Sequence, residues 1–206
     1  MQKAKKKTTI LITGSSGYIG GCCYKYFEAK KEFNVTGIDK KKPYFNDQKN
    51  FIKKNISNYN NLKKIVKRIK PSVIIHLAGQ STIDGIKNKL NYKINNETVT
   101  KNVVKVCNEF KVLKLLFSST AAVYRSSKNK ITESSPIELK HVYSKTKMNC
   151  ENLIRKKLNK DTKYIIFRFF NVCSSIFSLK AGELHNPETH LVPILVSKIL
   201  NNKQVH

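Results

Sequence analysis

Short apolar runs alternate along this chain with longer stretches whose apolar residues recur at helical spacing. Thr8 to Thr13 predicts a first strand, running into a glycine turn, and Gly17 to Lys31 a first helix. A second strand is expected over 34–39. The polar run Lys40 to Asn58 holds Pro43 and reads as mostly loop. Leu62, Ile65, Val66 and Ile69 form a helical stripe that Pro71 stops. Val73 to Leu77 predicts a buried strand, roughly 89–109 a long helix, and Leu113 to Phe117 a strand with a Ser/Thr-rich end. After a loop through Pro136, a helix is expected from Val142 to Leu158, a strand from Tyr164 to Phe169 and a last helix from Leu191 to Leu200. No repeat or long linker interrupts this order. Such alternation predicts parallel βαβ units, an α/β fold with a doubly wound parallel sheet.

Ligands of such sheets lie beyond the carboxyl ends of the strands. Those ends here carry Gly14, Asp39, Ala78-Gly79, Ser118-Ser119-Thr120 and Asn171. Gly14, Gly17 and Gly20 stand three residues apart. Gly14 lets the chain turn off the strand, Gly17 removes bulk where a pyrophosphate meets backbone N–H groups, and Gly20 lets the helix pack close. An ordinary strand-to-helix turn satisfies the same pattern. Asp39 adds what that turn lacks: a carboxylate ending the second strand, placed to receive the ribose hydroxyls of a dinucleotide.

Composition narrows the class. At 206 residues, 40% hydrophobic and 26% charged, the chain is long enough for one real core. No apolar run reaches membrane-spanning length, and the basic Met1–Lys7 stretch leads into a run too short for a signal peptide. Cys22, Cys23, Cys107, Cys150 and Cys173 form no C-x-x-C and read as free thiols of a cytoplasmic protein. The five histidines lack metal spacing, so no metal is expected. The net charge of +27 rests on 36 lysines scattered along the chain and only four arginines. A specific nucleic-acid reader uses arginine forks, so the charge implies weak, salt-sensitive binding to polyanions and no specific nucleic-acid partner.

Tyr143-Ser144-Lys145-Thr146-Lys147 places a tyrosine and a lysine one helical turn apart on one face. In a lysine-rich chain the same spacing also arises on a solvated helix face. As chemistry, the lysine ammonium and a nicotinamide cation would stabilise the phenolate and make Tyr143 a base. Thr120, after the fourth expected strand, could hydrogen-bond the reacting oxygen.

Together these motifs make the chain similar to the extended short-chain dehydrogenase/reductase superfamily and, within it, the UDP-glucose 4-epimerases. The matching pieces are TGSSGYIG, IDK, VIIHLAG, the 92–100 segment, LLFSSTAAVY, YSKTK, FRFFN and HNPETHLVP, in family order across the chain. The resemblance implies a Rossmann-type NAD-binding domain. Gly14, Gly17, Tyr18, Ile19 and Gly20 would hold the pyrophosphate and Asp39 the adenosine ribose. Asn55 and Ile56 would meet adenine, Ala78 and Gly79 would line the cofactor, and Asn96 and Phe170 would lie near nicotinamide. Tyr143 is implied as base, Lys147 as its tuner and ribose ligand, and Thr120 as third member. Asn171, His190 and Leu191 are the implied nucleotide-sugar contacts. The implied reaction interconverts UDP-glucose and UDP-galactose through a 4-keto sugar.

Ala121-Ala122 follow Thr120 where related dehydratases commonly carry an acid, which favours epimerisation over elimination. Other departures are Asn55 for the usual Asp, Ser81, Arg125, Val142, and Lys40–Lys42 behind Asp39. The resemblance also implies that residues 1–206 form the NAD-binding epimerase-type domain, with 171–206 beginning an incomplete substrate-binding portion and the second lobe largely missing. The sequence is either a fragment or a truncated form; if it is complete, weak or absent activity and exposed apolar surface are expected. Family members are often homodimers through helices such as 89–109 and 142–158. The competing readings are another NAD-dependent nucleotide-sugar epimerase, a noncatalytic NAD-binding remnant and a basic nucleic-acid binder.

Overall fold

The structure is a computed structural model that describes residues 7–43, 48–80, 89–173, 175–179, 181–183 and 191–202. The β-branched run Thr8–Thr13 forms β1, and the amphipathic segment Tyr18–Glu28 forms α1. Phe33–Asp39 is β2, Phe51–Lys53 is β3, and Tyr59–Ile69 is α2. The Asn58 side chain caps α2 by accepting from the Asn61 N–H, and Lys70 ends it at φ 50° just before Pro71. Val73–His76 is β4. The long expected helix is three pieces: α3 (Lys89–Tyr92), a π-helical stretch (Lys93–Thr98) and α4 (Val99–Glu109). Lys114–Thr120 is β5, Val142–Lys157 is α5, Lys163–Phe169 is β6 and Leu191–Leu200 is α6.

All six strands are parallel, in the order β3-β2-β1-β4-β5-β6. Alternation along each strand divides the sheet between two cores. Leu11, Ile38, Ile74, Leu115 and Phe117 face α2, α4 and α5 and share a core with Leu62, Val66, Val103, Val106 and Ile154. Ile10, Ile12, Val35 and Ile75 face α1, whose Tyr24 is fully buried among them. The doubly wound parallel sheet expected from the sequence is therefore the observed architecture. The addition is β3, a three-residue edge strand inside the run read as loop.

β6 is the other edge, and its α1-side flank is open: Ile165 and Phe167 are 54% and 40% exposed. No residue of α6 is buried.

Candidate functional site

The C-terminal edge of the sheet gathers the chemistry. Gly14 leaves β1 at φ 75°, and a Cβ there would lie 2.6 Å from the Ala78 nitrogen of the neighbouring strand end. At Gly20 a Cβ would fall 2.0 Å from the Gly14 carbonyl oxygen, so only glycine lets α1 approach β1 this closely. Gly17 is different. A Cβ there would meet only the Gly14 oxygen, at 3.4 Å, and the position is exposed at the N-terminus of α1. Packing within the chain does not require glycine there, whereas a phosphate approaching the helix end does. α1 has no side-chain cap and no acidic residue in its own first turn.

Asp39 fastens this turn to β2. Its carboxylate accepts from the N–H groups of Ser16 at 3.2 Å and Lys41 at 3.0 Å, while the Ser16 hydroxyl donates to the Lys41 carbonyl. Beneath the turn, buried Gln48 donates to the Ser15 carbonyl at 2.7 Å. Gln48 was not anticipated, because its contact crosses 33 residues and carries no local signal.

Tyr143 and Lys147 project from α5 toward β5. Ser144 closes the start of α5, its hydroxyl accepting from the His141 N–H and donating to the His141 carbonyl. Lys147 is 4% exposed; its Nζ donates to the Ser118 carbonyl at 2.8 Å and lies 5.0 Å from the Phe117 ring centre. Burial lowers its pKa from 10.5 to about 8, with Cys150 and Glu151 opposing the shift. A Cβ on Gly79 would lie 3.3 Å from this Nζ and 2.9 Å from the Asn96 oxygen, so glycine keeps the mouth of the cleft open.

The Tyr143 phenol differs from the sequence expectation of a depressed pKa. Burial raises it, hydrogen bonding with Thr120 pulls the other way, and nearby Tyr92 adds a further small rise. The Lys147 Nζ stands 6.0 Å from the Tyr143 ring centre. It is committed to Ser118, and desolvation outweighs the tuning expected of it. Thr120 is buried, and its hydroxyl also accepts from the Ala122 N–H at 3.1 Å, which aims it from the end of β5.

Asn96 sits in the π-helical stretch and is buried. Its oxygen accepts from the Gln80 N–H at 2.8 Å and its amide donates to Thr146 at 3.1 Å, tying the β4 exit to α5. His76 on β4 bonds the hydroxyls of Thr13 and Thr100, and burial lowers its pKa to about 3, so it is a neutral brace below the site.

The chain matches the model of the NAD dependent epimerase/dehydratase family over residues 10–206. The chain belongs to that family. Among curated relatives, the UDP-glucose 4-epimerase of Lacticaseibacillus casei is 30% identical over 195 residues, covering 91% of this chain and 59% of that protein. The UDP-glucose 4-epimerase of Lactobacillus helveticus is 30% identical and covers 93% and 60%. A crystal structure of a UDP-glucose 4-epimerase superposes with a TM-score of 0.83 at 28% identity, over 97% of this chain and 62% of that one. The UDP-Glc/GlcNAc 4-epimerase from Campylobacter jejuni gives 0.77 at 26%, over 96% and 63%. This chain thus spans less than two thirds of the length of these relatives.

The family's cofactor fits the residues present: the exposed Gly17, the uncapped α1 and the mouth kept open at Gly79 lie on one edge of the sheet with Asp39. Other expected contacts are placed differently. Ile56 is buried in the α2/α4 core, and Asn102 holds its carbonyl. Exposed Asn55 accepts from the Ser57 N–H, so of the pair its side chain is the accessible one. Tyr18 and Ile19 line an apolar cavity of about 330 Å³ with Cys22, Phe27, Val172 and Ile176. Phe170, Asn171 and Leu191 are exposed, and Ser81 and His190 lie outside the described residues. Among the described residues no helix is long and apolar enough to cross a membrane.

Proposed function

We propose that this chain binds NAD and carries the catalytic face of a UDP-hexose 4-epimerase. The observation behind this is the meeting of Tyr143 with Thr120 on the sheet edge that also holds the glycine turn, Asp39 and Gly79. The α1 N-terminus and Gly17 would take the pyrophosphate, and Asp39 the adenosine ribose. Bound NAD would supply the hydride acceptor and then the hydride donor at sugar C4. Tyr143 accepts the proton of the sugar 4-hydroxyl in one half-reaction and returns it in the other. Thr120 hydrogen-bonds that oxygen and orients it. Lys147 holds positive charge one turn away, which acts toward the phenolate form of Tyr143 although burial outweighs it, and the nicotinamide cation of bound NAD would add to it. Ala121 and Ala122 form the tight turn after Thr120 and offer no acid or base, in keeping with epimerisation and not elimination.

Residues 171–206, with Asn171, His190 and Leu191, would begin the substrate-binding portion. Exposed Leu90 and Ile94 support a homodimer through the 89–109 and 142–158 helices. The free cysteines suit a reducing cytoplasm. A second reading, an N-acetylhexosamine nucleotide as substrate, draws on the likeness to the Campylobacter jejuni enzyme named for both sugars. A coupled assay for UDP-glucose formed from UDP-galactose, with bound NAD quantified by mass, tests the first reading. Turnover lost in Tyr143→Phe with NAD retained supports it, and a chain that takes up no NAD sinks it.

A further inference from the structure

Tyr143, Lys147 and Glu151 follow one another at four-residue spacing and form one stripe of α5. Each meets one of the last three residues of β5. Tyr143 meets Thr120, Lys147 bonds the Ser118 carbonyl, and Glu151 accepts from the Ser119 hydroxyl. Glu151 is fully buried. It is also held from the next strand: Arg168, register partner of Ser119, donates to both its oxygens, at 3.0 and 2.8 Å. Arg155, one turn further along α5, reaches the carboxylate at 3.0 Å. The Arg168 guanidinium lies 4.8 Å from the ring centre of Tyr124, just past the Thr120 turn. A buried ion pair of this kind adds little net stability compared with apolar packing, but breaking one side is costly. Its two-oxygen geometry fixes direction.

We propose that Glu151, clamped by Ser119 and Arg168, is a positioning residue that sets the register of α5 on β5, and so the placement of Tyr143 and Lys147 against Thr120. This rests on the roles proposed above for Tyr143 and Lys147. Glu151 also acts on Lys147 through charge. The groups facing Lys147 are Tyr143, Cys150 and Glu151 from α5, Phe117 and the Ser118 carbonyl from β5, neutral His76 from β4, and Gly79 and Asn96 at the mouth. Among them the carboxylate is Glu151, and its field is offset by Arg168 and Arg155.

The test is a set of denaturation curves across pH 7 to 10. Glu151→Gln and Arg168→Gln are each measured with Lys147 and with Lys147→Met. The Lys147-dependent part of the curve gives the titration midpoint of that lysine. Glu151→Gln is expected to lower the midpoint by about half a unit or more and Arg168→Gln to raise it, because the two remove opposite charges. Packing loss alone has no reason to give opposite signs. If Glu151→Gln does not fold, Ser119→Ala, which keeps both charges, carries the test through kcat. In the active protein, Ser119→Ala is expected to lower kcat by about threefold or more with NAD affinity unchanged. Midpoints unmoved, or moved in the same direction, overturn the proposal, as does an unchanged kcat in Ser119→Ala. Absence of NAD binding or turnover in the unmutated chain instead counts against the proposed function, and the midpoints still read the Glu151–Lys147 coupling.

Discussion

Lys147 gives its ammonium to the carbonyl oxygen of Ser118, at 2.8 Å, and does not bond to Tyr143. The contact fixes a buried cation at the end of β5, and its cost is visible in pH. Burial lowers the Lys147 pKa from 10.5 to about 8. Between those values the unfolded chain keeps a proton that the folded chain releases. The penalty is full below about pH 8 and fades as pH rises toward 10.5, a swing on the order of 3 kcal/mol. Cys107 and Cys150, raised to about 12 and 11, act the other way above pH 9. Urea denaturation of the chain and of Lys147→Met isolates the lysine. The unmutated chain is expected to gain on the variant as pH rises from 8 to 10. A pH-independent difference contradicts this.

His76 has the opposite pH range. It is fully buried between Thr13 and Thr100, with its pKa lowered from 6.5 to about 3. The unfolded chain takes up a proton below pH 6.5 that the folded chain refuses. Stability therefore falls as pH drops from 6.5 toward 3, by up to about 5 kcal/mol from this group. His76→Gln, compared by thermal melts between pH 7 and 5, should flatten that slope. An equal slope in the two proteins would count against the neutral, buried histidine.

The glycines separate packing from ligand binding. Gly20→Ala puts a methyl carbon 2.0 Å from the Gly14 oxygen and should destabilise by roughly 3 kcal/mol or more. Gly17→Ala meets only one atom, at 3.4 Å, and should change stability by less than about 1 kcal/mol. Dinucleotide affinity should nevertheless fall about tenfold or more, because the methyl occupies the phosphate approach. Calorimetric NAD titration and melting curves on both variants give the comparison. Unimpaired NAD binding by Gly17→Ala would remove the phosphate role from that position.

Much of this was legible in the chain because local signals agreed with the tertiary result. β1 and α6 fall at the residues read for them, and other boundaries moved by a few positions. β3 was hidden, since Phe51-Ile52-Lys53 is too short to show alternation inside a polar run. The π-helical stretch was also hidden: its period departs from an ordinary helix over only six residues, where apolar spacing still reads as helical. Glu151 resembled a solvated helix charge among lysines. The extension of the Tyr143/Lys147 spacing by one more turn was the available signal. Gln48 and Asn102 act through long-range contacts to backbone carbonyls that no local pattern records. The direction of the Tyr143 shift depends on burial, which a motif does not carry.

The most direct measurement is turnover of UDP-galactose by the 206-residue chain and by Tyr143→Phe, with bound NAD determined in the same samples. If Tyr143 is the base of an NAD-dependent 4-epimerisation, the unmutated chain forms UDP-glucose, slowly because it spans less than two thirds of its relatives' length, and the variant keeps its NAD but loses nearly all of that rate. Equal rates in the two proteins, or no NAD in either, would contradict it.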